Sequence, residues 1–165
     1  MVLIGSGGGL FFFPETLSDL WPWALLPFNT RFLGAVYIAS LVAAAFLVIM
    51  GTWSPARIIT PMIFGFTVIV LINSIIYFDR FNGPSFSILG WFLLYTIIPI
   101  NAAYHVWLYR DRPIVDQVQL PKMLKIPLIV VALVIGIYGL GLLISPDTFS
   151  EIWAWPIDDF HARMY

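Results

Sequence analysis

Four apolar stretches follow one another along this chain, at about residues 32–50, 58–78, 86–108 and 126–144. Each holds roughly 20 residues, which is what a helix rising about 1.5 Å per residue needs to cross a hydrocarbon layer of about 30 Å. Lipid offers a peptide group no hydrogen-bond partner, so such stretches cross as helices that satisfy their own backbone. The expected fold class is therefore all-α: a multi-pass integral membrane protein with four transmembrane helices in a bundle. Composition agrees, since 61% of the 165 residues are apolar and 10% charged, where a soluble domain carries about a quarter charged residues. The net charge of −1 gives no pull toward nucleic acid, and none is expected as a partner. The absence of cysteine excludes disulfides, thiolate catalysis and Cys-based metal sites. Residues 1–13 have neither a basic n-region nor a small-residue cleavage site, so they do not read as a signal peptide.

The segment 14–31, PETLSDLWPWALLPFNTR, occurs twice. Shifted by 132 positions it returns as 146–163, PDTFSEIWAWPIDDFHAR. Pro14, Thr16, Ser18, Trp21, Trp23, Phe28 and Arg31 recur as Pro146, Thr148, Ser150, Trp153, Trp155, Phe160 and Arg163, while Glu15 and Asp19 become Asp147 and Glu151. This offset predicts an internal repeat of two matching elbows. The same shift lays Gly9-Leu10 on Gly141-Leu142, so residues 1–13 read as the last turns of a helix equivalent to the fourth span, dipping into the membrane in a chain that begins partway through a repeat. Thr16 with Asp19, and Thr148 with Glu151, have the spacing of a capping box and predict a short helix starting at each elbow. Trp21, Trp23, Trp153 and Trp155 are then expected as interfacial anchors at headgroup depth, in preference to a ligand platform. Arg31 and Arg163 are expected to pair with the elbow carboxylates. The predicted organisation is 1–31 as the dipping segment and first elbow, 32–145 as the four spans, and 146–165 as the second elbow.

Within the spans, Ala35, Ala39 and Ala43 recur every fourth residue in the first, a small-residue face that lets helices approach closely in lipid. Pro61 is expected in the first turn of the second span, where its missing N–H costs little. Asn73 and Ser74 lie toward that span's end, and 79–85 (DRFNGPS) reads as a turn. Pro99 should kink the third span and free the Tyr95 carbonyl, with Asn101 and His105 one turn apart. Asn73 and Asn101 are the candidates for a polar intramembrane site. In the fourth span Gly136, Gly139 and Gly141 mimic part of a dinucleotide fingerprint, but with no preceding strand they read as helix-packing positions. Loops 51–57 and 109–125 carry five basic residues, against three on the elbows and loop 79–85. The positive-inside rule then puts those loops in the cytoplasm and both elbows outside, in a bacterial inner membrane.

Chemistry is sparse. No ionisable residue lies mid-span, which disfavours proton relays and ion-coupled transport. His105 is the sole span histidine. A haem held by two histidines is disfavoured because His161 is expected on the opposite face, whereas a single-ligand pigment could bind at His105; a bond to Asn101, a backbone carbonyl or water is the simpler expectation. No metal-ligand spacing and no G-x-S-x-G nucleophile motif is present, so no metal, no catalytic residue and no firm cofactor is expected. The carboxylates Glu15, Asp19, Asp147 and Glu151 are read as helix-capping rather than as a cation site.

The run F-P-E-T…W-P-W…L-x-P-F-x-x-R-x-L-G-A-x-Y, residues 13–37, resembles uncharacterised bacterial multi-pass membrane proteins that share such an elbow leading into a helix. The resemblance carries no activity, and it implies a further span after Tyr165. The expected role is a non-enzymatic accessory or structural subunit, with the lipid bilayer and either other membrane subunits or its own copies as partners. A carrier or channel for a small neutral or lipidic solute, and a pigment-binding subunit using His105, are the alternatives.

Overall fold

The computed structural model describes residues 2–51, 53–113 and 121–165. Among them are eight α-helices and no strand: α1 (Val2–Phe12), α2 (Pro14–Ser18), α3 (Pro27–Met50), α4 (Trp53–Ile76), α5 (Ser85–Tyr109), α6 (Lys122–Ile144), α7 (Pro146–Ser150) and α8 (Asp159–Met164). A single 3-10 turn, Phe78–Arg80, precedes α5. The helices α3, α4, α5 and α6 are each long and apolar enough to cross a membrane. The protein is an all-α membrane protein on that ground.

Local chemistry sets the helix ends. Pro27 opens α3 behind an extended Leu26, since a proline ring is already at a helical φ and has no N–H to leave unpaired. Gly51 closes the same helix with φ of 60°, its N–H reaching the Leu47 carbonyl, a left-handed stop that glycine adopts without a Cβ clash. All four long helices begin before their apolar stretches, and two of them take a proline inside as a result. Trp53, not Ile58, starts α4, so Pro61 lies two turns inside rather than in the first turn and withholds its bond from the Arg57 carbonyl. Likewise α6 starts at Lys122 and takes Pro127 into its interior. In both cases polar and basic residues at the end of the stretch continue the helix beyond the apolar window.

The chain forms two compact units, Met1–Pro113 and Ile114–Tyr165, so the division falls between α5 and α6. In the first unit α1 packs antiparallel on α3 and α4 packs antiparallel on α5. The α1–α3 crossing is close because glycines face it. A Cβ on Gly34 would stand 2.6 Å from the Phe11 backbone nitrogen, and one on Gly7 would stand 3.2 Å from the Ile38 nitrogen. Leu10 is completely buried there. Across the second pair, Trp91, Tyr95, Pro99 and Ala102 make the inner face of α5, at spacings of three and four that keep one side of a helix. They meet Thr67, Val70, Asn73 and Ser74 of α4. The second unit is smaller, with α7 and α8 both packed on α6.

Candidate functional site

Aromatic and polar side chains meet at the elbows and at the two ends of the α4–α5 hairpin. Within the first elbow, Asp19 to Leu26 join α2 to α3. Trp21 and Trp23 are 8% and 2% exposed. Their rings pack on other aromatic side chains: Trp21 lies edge-on to Tyr37 and Trp91, and Trp23 edge-on to Phe81 and Trp91, with centroids 4.8–6.0 Å apart. Such edge-to-face pairs add about 0.5–1.5 kcal/mol beyond the area they bury. The backbone joins in. Gly83, in the turn before α5, donates its N–H to the Pro22 carbonyl at 2.9 Å, and the Ser87 hydroxyl donates to the Leu20 carbonyl. A Cβ on Gly83 would run into the Trp21 carbonyl oxygen, so only glycine allows this approach.

Beside these rings two polar pairs, one buried and one part-buried, link the helices. Trp91 Nε1 donates to Ser74 Oγ at 2.9 Å, and that hydroxyl donates onward to the Val70 carbonyl at 2.7 Å. The hydroxyls of Tyr37 and Tyr95 lie 3.2 Å apart and join α3 to α5. In contrast, Trp21 Nε1 is buried with no hydrogen-bond partner. None of Gly34, Gly83 or the Trp91–Ser74 pair stands out in the sequence. One signal was available for the last: a serine in a span needs a partner, and Ser74 and Trp91 lie at similar distances from loop 79–85.

The second elbow has the same course. The residue before α2, Phe13, has φ/ψ of −126°/55°, and Ser145 before α7 has −133°/66°. Phe13 N–H bonds the Gly9 carbonyl and Ser145 N–H the Gly141 carbonyl, both at 2.8 Å; Trp21 N–H bonds Ser18 and Trp153 N–H bonds Ser150, both at 3.1 Å. Gly9 gives room to Leu17, and Gly141 to the Phe149 ring, which a Cβ there would strike. Trp153 packs edge-on to Trp155 at 4.9 Å and stacks on Tyr138, whose hydroxyl donates to the Phe149 carbonyl. The expected capping boxes do not form. Pro14 and Pro146 already open the short helices, so Thr16 and Thr148 lie inside them, and neither helix has a side-chain cap. The tryptophans follow the short helices instead of riding on them. No ion pair joins Arg31 to Glu15 or Asp19 among the described residues. One true cap is found at α8, where Asp158 accepts the His161 N–H at 2.9 Å.

The remaining candidates are dispersed. Asn73 is 3% exposed on α4, whereas Asn101 is exposed. With Ser74 opposite Trp91, Asn101 lies ten residues further along α5, roughly 15 Å at about 1.5 Å per residue, so the two amides share no site. His105 Nδ1 donates to the Asn101 carbonyl at 2.8 Å, leaving Nε2 as its acceptor between Tyr104 and Tyr109. Ala35 and Ala39 are exposed and Ala43 is half-buried, because α3 meets α1 through its Gly34 and Ile38 side. Nothing comes within 4 Å of a Cβ at Gly136 or Gly139, while Gly141 is covered by Phe149. No cluster of three potential metal ligands occurs among the described residues.

No family model, no curated protein and no solved structure matches the chain.

Proposed function

We propose that this chain is a non-catalytic integral membrane subunit that packs against other membrane helices in a larger assembly. The observation that carries this is the α3 face bearing Ala35, Ala39 and Ala43: Ala35 and Ala39 are exposed and Ala43 half-buried, while α1 takes the neighbouring Gly34–Ile38 face. Apolar side chains gain nothing by leaving lipid for protein, so association there rests on close backbone approach, which small residues permit. Gly136 and Gly139 offer a second such surface on α6. The two elbows are read as copies of one repeated unit, supported by equivalent hydrogen bonds at the same offset as the sequence identities. We place the assembly in a bacterial inner membrane, with elbows outside and 51–57 and 109–125 in the cytoplasm, from the five-to-three distribution of basic residues and the resemblance of residues 13–37.

Extraction of the tagged chain in native lipid tests the proposal. Partners or further copies are expected to co-purify, and Ala39→Leu is expected to release them while leaving the chain folded, since residue 39 touches no core. Recovery of the unmodified chain as a lone monomer in native lipid contradicts it.

A further inference from the structure

At the end of the α4–α5 hairpin away from the first elbow, three guanidinium groups gather. Arg57 Nη1 donates to the Arg112 carbonyl at 3.1 Å, Arg112 lies over the Tyr109 ring, and Arg110 lies over Trp107 at 5.5 Å. The one carboxylate beside them among the described residues is Asp111, which takes Arg110 Nε at 3.2 Å and is 88% exposed. An ion pair that open contributes little, and it leaves the terminal nitrogens of Arg110 and one of Arg57 unused. Glu15, Asp19 and Asp79 belong to the elbow end of the unit. Among the described residues, three guanidinium groups at this hairpin end therefore stand against one open carboxylate.

A groove runs from this cluster along the hairpin. Its upper part, of about 230 Å³, is lined by Trp53, Arg57, Pro61, Val106 and Arg110. It continues into a part of about 360 Å³ where Phe64, Ala103 and Trp107 join Pro61, Val106 and Arg110. Two cations thus stand at the mouth of an apolar trough, with Trp53 and Tyr109 in ring contact at 4.8 Å beside it. The geometry points to a binding site for one anionic phospholipid, its phosphodiester between Arg57 and Arg110 and an acyl chain along Pro61, Phe64 and Val106. Charge complementarity selects this occupant. A guanidinium gives a phosphate paired, directed donors, and basic residues at the end of a span attract anionic headgroups, while the trough below accepts only hydrocarbon.

The test is native mass spectrometry of the full chain released from neutral detergent after incubation with equimolar phosphatidylglycerol and phosphatidylcholine. Phosphatidylglycerol is expected to be retained preferentially. Its retention should fall about five-fold for each arginine lost in Arg57→Gln and Arg110→Gln, fall also in Ala103→Trp, which fills the trough and keeps both charges, and stay unchanged in Arg31→Gln at the elbow end. Near-ultraviolet circular dichroism of the buried tryptophans verifies that each variant is folded. Equal retention of the two lipids, unchanged retention in the double arginine variant, or displacement of the lipid by inorganic phosphate would each overturn the inference, the last by making it a site for free phosphate.

Discussion

Two tryptophans in the same cage make opposite uses of the same indole nitrogen. Trp91 donates to buried Ser74, whereas the Trp21 N–H is buried without a partner. Replacing either by Phe removes a similar amount of ring, so the difference between the variants isolates the bond. We expect Trp91→Phe to be the more destabilising by about 1 kcal/mol, the usual net worth of an intramolecular hydrogen bond, shrinking toward 0.6 or so if the pair behaves like average membrane ones. Paired denaturation midpoints in detergent provide the measurement, and equal losses would remove the bond from the account. The tryptophans themselves were plain in the sequence, but their environment was not. Aromatic rings flanking a span suit the headgroup region by composition alone, and only the approach of loop 79–85, allowed by Gly83, turns Trp21 and Trp23 inward.

Between elements, the α1–α3 crossing brings two helix backbones into close approach. A methyl group at Gly34 must displace backbone of α1 and not a pliant side chain, so Gly34→Ala is expected to cost about 1–3 kcal/mol, in the range of overpacked cores. It should loosen α1 first. Increased protease cleavage or cysteine labelling within Gly5–Phe12 reports that, and unchanged protection of α1 would contradict it. The long helices were legible because lipid-spanning length and apolarity are written locally. Their partners were not. A stripe of small residues says that some backbone can come near, and in α3 the chain uses the Gly34 side for itself while Ala35 and Ala39 face away. The early starts of α4 and α6 were hidden for a related reason: Trp53 and Lys122 lie outside any apolar window, yet nothing stops a helix from extending through them.

For the whole molecule, contacts within the first unit already fix alternation. The first elbow meets loop 79–85 through Gly83–Pro22 and the first turn of α5 through Ser87–Leu20, and Arg57 meets Arg112 at the other end, as α3, α4 and α5 running in alternating directions require. The helices α2 and α7, and the starts of α3 and α8, lie 132 positions apart in the chain. The proposed partner and lipid were less legible, since both depend on surfaces rather than on local sequence. The central proposal is that α3, α4, α5 and α6, each long and apolar enough to do so, all cross the membrane, an even number of spans between Glu15 and Asp147. Since the chain has no cysteine, single replacements at the exposed positions Glu15, Asp147 and Asp111 can each be labelled with an impermeant maleimide in sealed vesicles of known orientation. Residues 15 and 147 should react from the same side and residue 111 from the other, whereas labelling of 15 and 147 from opposite sides would contradict the account.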